Sequence, residues 1–202
     1  MKKSLKLQTG QGLLETIFAI GILLMVVAAI LALTVSALLG QKASEAQIIA
    51  NNLGREAIEV VRNIRDSNWL LGSQQWDLGL TDTVGQNITA LAVFSKINGW
   101  QLSFFPATQI ADKDLLYISP SGVYGHDPQG SLPSIYKRHL VLESICQSKD
   151  LTGNYSIETI QASAGCNINE QKIGIKIKAI IDWQERGRQQ RVILDDLIYE
   201  WK

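Results

Sequence analysis

The sequence predicts an α+β protein in which one long N-terminal helix, apolar through its first half, packs on a C-terminal antiparallel β-sheet. Three observations carry this expectation. From Thr16 to Gln41 run 26 consecutive residues without a charge. Apolar and small residues then recur at helical spacing from Ala46 to Ile64. Beyond Asp66 the chain turns to β-branched and aromatic residues broken by turn formers, the composition of short strands.

The chain opens with a basic stretch, Met1–Gly10, carrying Lys2, Lys3 and Lys6. The uncharged run that follows would form a helix of about 39 Å at 1.5 Å per residue, enough to cross a hydrocarbon core of roughly 30 Å. A secretory signal peptide has a shorter apolar core and a small-residue cleavage site after it, whereas here the helical pattern continues past Gly40. The leading lysines favour a cytoplasmic N-terminus and a single pass, with the rest of the chain outside. Lys42 and Arg55 on the far side weaken that bias without reversing it. Glu15 stands at the mouth of the span, where a carboxylate is expensive in lipid and requires a partner or a purpose.

After the span the character changes but the period does not. Ala46, Ala50, Leu53, Ala57, Val60 and Ile64 mark one face, and Glu45, Asn52, Arg55, Glu59 and Arg62 fall mostly away from it. The helix is expected from about Leu13 to Arg65, unbroken by proline, with Gly21, Gly40 and Gly54 as its only soft points. Residues 11–40 are its transmembrane half and 41–66 its extracytoplasmic amphipathic half. Residues 67–202 are the globular β-rich head.

Within the head, Ser67–Gly85 has neither period and reads as an irregular connection, with Trp69 and Trp76 as core or sheet-edge plugs. Ile88–Ile97 and Trp100–Phe105 flank Asn98-Gly99, a hairpin signal. Leu115–Ile118 reads as a short strand and His126–Pro133 as a surface loop. His139–Ile145 and Tyr155–Ala162 are expected to pair across Lys149–Asn154. Lys172–Trp183 alternates through Ile173, Ile175 and Ile177, and a turn at Glu185-Arg186-Gly187 leads into Gln189–Ile198. About six or seven strands in one sheet are expected.

The whole chain balances 19 basic against 19 acidic residues. Without Met1–Gly10, 16 basic residues would face 19 acidic ones, a net charge of 16 − 19 = −3. Such a head has no basic field for nucleic acid, and no direct nucleic-acid binding is expected. Cys146 and Cys166, the two cysteines, lie twenty positions apart. Outside the cell a disulfide between them is the expectation, with two buried free thiols or one reactive cysteine as the alternatives. His126 and His139 are too few and lack the spacing of metal ligands, so neither a metal nor another cofactor is expected. His139 in the alternating KRHLVLE run reads as a surface or edge residue, and His126 sits beside Asp127 in a turn with no nucleophile. Asp112 with Asp114, and Asp182 with Asp195 and Asp196, do not follow a calcium-loop pattern and read as hairpin-surface carboxylates. Asn87-Ile88-Thr89 and Asn154-Tyr155-Ser156 match the glycosylation triplet, which is frequent by chance. With no catalytic constellation, the chain reads as a structural protein and not an enzyme.

The order of basic leader, Gly10, Gln11, Glu15 four residues on and a long apolar helix resembles the leader of type IV pilins and of type II secretion pseudopilins. Asn52–Leu70 and the terminal Trp183–Arg191, followed by Val192 and Leu194, look like minor pilins of the PilV or GspI type, while the middle of the chain carries hardly any likeness. The resemblance implies cleavage by prepilin peptidase between Gly10 and Gln11, methylation of the new amine of Gln11, and an assembly role for Glu15. It also implies an inner-membrane assembly platform and other pilin subunits as partners, with passage from the inner or cytoplasmic membrane to a surface or periplasmic filament. The family usually has Phe at the new N-terminus and Thr or Ser after it, where this chain has Gln11 and Gly12. A cleaved amine at Gln11 is a cation that Glu15 can pair with, within one helix or between neighbouring ones. The alternative reading is a single-pass anchored extracytoplasmic binding protein that never polymerises.

Overall fold

The computed structural model describes residues 11–73, 75–82, 87–148 and 158–200. The chain divides into two compact units, Met1–Ala46 and Gln47–Lys202.

One helix, α1, covers residues of both units, from Gln11 to Leu70, 60 residues. In the first unit it stands alone, and from Gly12 to Ala43 every residue but Gly21 and Ala43 is exposed. The hydroxyls in this stretch are satisfied locally: Thr16 donates to the Leu13 carbonyl at 2.8 Å, Thr34 to Ile30 at 2.8 Å and Ser36 to Ala32 at 2.9 Å. Such bonds leave none of these three hydroxyls needing water along an apolar helix.

The helix ends five residues beyond the expected Arg65, because the stop signal is Gly72 and not the polar Asp66-Ser67-Asn68. Gly72 takes φ +67°. Its N–H donates to Trp69 at 3.0 Å and the Ser73 N–H to Asn68 at 2.9 Å, the paired bonds of a left-handed glycine cap. The Asn68 side chain then donates to the carbonyls of Trp76 at 3.1 Å and Leu78 at 2.8 Å, holding the following turn against the helix end. The segment expected to be wholly irregular therefore begins as helix. Trp76 is half-buried, whereas Trp69 is 53% exposed and plugs less than expected.

The second unit contains the sheet. Its strands are β1 (Thr89–Ser95), β2 (Gly99–Phe105), β3 (Leu115–Ile118), β4 (Tyr124–Gly125), β5 (Leu132–Ser148), β6 (Thr159–Gln161), β7 (Glu170–Glu185) and β8 (Arg188–Tyr199). All described pairings are antiparallel. The eight strands exceed the six or seven expected, since the two-residue β4 carries almost no sequence pattern. β5 is the organising strand. One of its sides pairs with β7 from Tyr136 to Ser148, and the other meets β3, β1 and β6 in succession. Its 17 residues absorb Leu132 and Pro133 from the expected loop. The expected pairing of β5 with β6 is present at Ser144–Cys146, and the turn assigned to Lys149–Asn154 lies outside the described residues.

Two hairpins show how turn chemistry fixes register. Ser95 pairs with Gly99, leaving Lys96, Ile97 and Asn98 as a three-residue loop rather than the two-residue Asn98-Gly99 turn. Gly99 at φ +69° supplies the left-handed position that such a loop requires. At the other hairpin Glu185 pairs with Arg188, and Arg186 at φ 49° and Gly187 at φ 76° make the tight turn, matching the right-handed twist of the strands it joins.

The core of this unit lies between α1 and one face of the sheet. Ala50, Leu53, Ala57, Val60 and Val61 of α1 are buried, as are Leu140 and Leu142 of β5, Ile175, Ile177, Ala179 and Ile181 of β7, and Ile198 of β8. Each large side chain so buried contributes roughly 1.5–3 kcal/mol relative to exposure. At Gly54 helix and sheet approach closely: a Cβ there would stand 2.7 Å from Leu194 Cδ1 and 2.8 Å from Ile181 Cδ1. The chain thus has the pilin-like α+β architecture, an apolar N-terminal helix continuing into a packed helix on an antiparallel sheet.

Candidate functional site

The first unit presents its chemistry openly. Leu13, Leu14, Ile17, Phe18, Ile20 and Leu24 are all more than half exposed, an apolar surface far too continuous for a helix meant for water. The helix is long and apolar enough to span a membrane once. Glu15 is exposed at its start, and among the described residues no side chain pairs with it. Gly10 lies outside the described residues, and of Gln11 only the helical backbone is described. Gly12, Gly21 and Gly40 have open space where a Cβ would stand, so nothing inside the chain requires glycine there.

In the second unit Cys146 and Cys166 are joined in a disulfide, their Cα atoms 5.7 Å apart. Cys146 ends the buried run of β5, and the bridge ties that strand to the segment after β6. Next to it, Gln161 hydrogen-bonds Glu170 across the base of the same loop.

The titratable residues singled out in the sequence fall into separate places. Asp112 and Asp195 are exposed as expected, and Asp196 takes Arg62 of α1 at 2.9 Å. Asp114 and Asp182 are instead buried. Asp182 accepts both arms of the Arg191 guanidinium, at 2.6 and 2.9 Å, a bidentate pair that permits a carboxylate to leave water. Asp114 lies 3.4 Å from Lys137 Nζ and 3.5 Å from His139 Nδ1. His139 is therefore a half-enclosed residue, not a surface one. Burial lowers its pKa, against the pull of Asp114 and Asp182 in the other direction. His126 lies in the loop after β4 as expected, but it is half-buried and not at the surface: its Nδ1 meets the Leu115 carbonyl at 3.2 Å. Burial, and then the positive charge of Arg138, push its pKa down to about 4. Among the described residues no group of three or more His, Cys, Asp or Glu could hold a metal ion.

The glycosylation triplet at Asn87 is closed off. Thr89 is buried at the start of β1, and the Asn87 amide donates to Asp82 at 2.8 Å. Asn154 lies outside the described residues.

Arg138 is the residue that sequence reading missed. It is 1% exposed, beneath α1. Its Nη1 donates to the Leu53 carbonyl at 3.2 Å and lies 3.4 Å from Glu56 Oε1. Among the described residues Nε and Nη2 have no hydrogen-bond partner, and burial lowers the pKa of the group against the opposing pull of Glu56. The signal was present in the alternation: Arg138 shares the phase of Tyr136, Leu140 and Leu142, the residues that face α1.

No family model, no curated protein and no solved structure matches this chain.

Proposed function

We propose that the chain is a minor pilin or pseudopilin, a structural subunit of a type IV pilus or related filament, processed by prepilin peptidase after Gly10. The observation that carries the reading is the pairing of a bare, apolar half-helix having one carboxylate, Glu15, near its start with a second half committed to covering a sheet. In a lone anchor that carboxylate does no more than cap the cytoplasmic end of the helix, whereas in a filament subunit it can also pair with a neighbour's amine. The helix leaves lipid for the equally apolar flanks of neighbouring helices, a transfer with little intrinsic driving force. Pairing of Glu15 with the amine of Gln11 on a neighbouring subunit then decides register, because either charge buried alone would cost several kcal/mol. The inner-membrane assembly platform draws the subunit out, and the head faces its neighbours.

The test is intact-mass and N-terminal peptide mass spectrometry of the protein purified from its native membrane. A chain that begins at Gln11, heavier by one methylene on its amine, supports this reading. A chain that begins at Met1 in cells with active prepilin peptidase overturns it in favour of the non-polymerising anchored binding protein. Glu15→Ala is expected to be cleaved normally yet to enter filaments poorly, and wild-type incorporation would remove the pairing role.

A further inference from the structure

Strand β8 is an edge. Its 12 residues pair with β7 along one side, and no other strand among the described residues pairs with it. The register with β7 is continuous from Gly174–Tyr199 to Glu185–Arg188, without a bulge, and the strand contains neither proline nor lysine. The edge is thus straight and unbulged, and the side chains that guard it are the charges of Arg188, Arg191, Asp195 and Asp196.

The pairing pattern fixes which backbone groups are free. Glu200 N–H donates to Ile173 at 2.8 Å. In an antiparallel pair only alternate residues exchange bonds, so the even-numbered residues of β8 are turned to β7. The N–H and C=O groups of Gln189, Arg191, Ile193, Asp195 and Leu197 face the open edge. The side chains of these same residues stand on the face away from α1, with Ile193 52% and Leu197 48% exposed. Arg191 and Asp195 hold Asp182 and Lys176 respectively, yet their side chains remain 56% and 49% exposed.

We propose that the β8 edge receives an extended segment of a partner protein as an added antiparallel strand. Charge complementarity sets its side chains. Read from its N-terminus, the segment has an apolar residue opposite Leu197, a basic one opposite Asp195, an apolar one opposite Ile193 and an acidic one opposite Arg191, with a free choice between them. The partner is not a second copy of this chain. Gly54 lies beside Leu194 and Arg62 on Asp196, so α1 and β8 run in the same sense. Two-fold pairing of β8 with β8 would set the copies of residues 47–70 antiparallel, which subunits sharing one direction in a filament do not allow; this exclusion rests on the filament reading.

The experiment uses the full chain in detergent micelles and a capped octapeptide, Val-Thr-Lys-Thr-Val-Thr-Glu-Thr, with residue-resolved amide hydrogen exchange. At millimolar peptide, the amides of Arg191, Ile193, Asp195 and Leu197 are expected to slow by roughly tenfold or more while the even-numbered ones stay as they were. The peptide with Lys and Glu exchanged is expected to protect them several-fold less. No protection, or equal protection by both peptides, overturns the proposal. Ile193→Pro removes only an edge-facing N–H and is expected to abolish protection at unchanged melting temperature. Should that variant unfold, Asp195→Lys decides, because it is expected to prefer the peptide with Glu in place of Lys, and an unchanged preference overturns the proposal. A disulfide-linked homodimer of Ile193→Cys in the native membrane would replace the partner segment by a second copy. Failure of these peptide arms leaves the filament reading standing, since the N-terminus of the mature chain decides that separately.

Discussion

The Arg138 guanidinium of β5 donates to the backbone carbonyl of Leu53 in α1 at 3.2 Å, so a charge in the middle of the sheet is bound to the helix that covers it. Such a contact specifies position more than it adds stability. The apolar surfaces around it would tolerate many alignments, whereas a buried cation tolerates few.

Arg138→Met is therefore expected to change stability by no more than about 1 kcal/mol, because a chain of similar volume replaces a desolvated charge. Glu56→Ala removes the counter-charge and leaves Arg138 in place, and is expected to cost about 1–3 kcal/mol. Urea unfolding of the two variants checks the order, and a costlier Arg138→Met would contradict it.

Gly54 and Gly174 predict a second ordering. A Cβ at Gly54 would press on the mobile ends of Leu194 and Ile181, so Gly54→Ala is expected to cost about 1–2 kcal/mol once the gain in helix propensity is counted. At Gly174 the same atom would lie 2.6 Å from the Ile198 backbone oxygen. Backbone cannot turn aside as a side chain can, so Gly174→Ala is expected to be the more damaging of the two in thermal unfolding.

His126 predicts a dependence on pH. Its folded pKa of about 4 lies below the ordinary value of 6.5, so between these values the unfolded chain binds a proton that the folded chain refuses. Stability is complete above about pH 6.5, falls as the pH drops toward 4 and levels off below it, a loss on the order of 3 kcal/mol. Urea midpoints from pH 7 to pH 4 should show this slope, and His126→Gln should flatten it.

Reduction of Cys146–Cys166 reopens a loop spanning 20 positions, for which chain entropy gives about 3 kcal/mol. Denaturant midpoints with and without reductant measure the loss. Hydrogen exchange should place the first loosening at β6, three residues held between the bridge and β5.

The fold was legible where one residue pattern ran long. The apolar helix, the alternation of Ile173–Ile177 and the turn at Arg186-Gly187 each specify their structure locally. The sequence was less readable where the deciding partner is remote. Asp114 and Asp182 read as surface carboxylates because Lys137 and Arg191, which make their burial possible, lie 23 and nine positions away. Arg138 was hidden for the converse reason: residue type argued for exposure while its phase in the strand argued for the core. For the proposed processing after Gly10 the sequence alone speaks, through Gly10, Gln11 and Glu15.

Because β5 carries β3, β1 and β6 on one side and β7 on the other, the order in which the chain becomes structured is constrained. A chain made from its N-terminal end has only the β1–β2 and β3–β4 pairings within reach before residue 132 arrives. The apolar face of α1 from Ala50 to Val61 must wait uncovered until β5 and β7 have both followed. We expect fragments ending at Gln129 to show no slow-exchanging amides outside those two hairpins, and to engage holding factors that the full chain escapes.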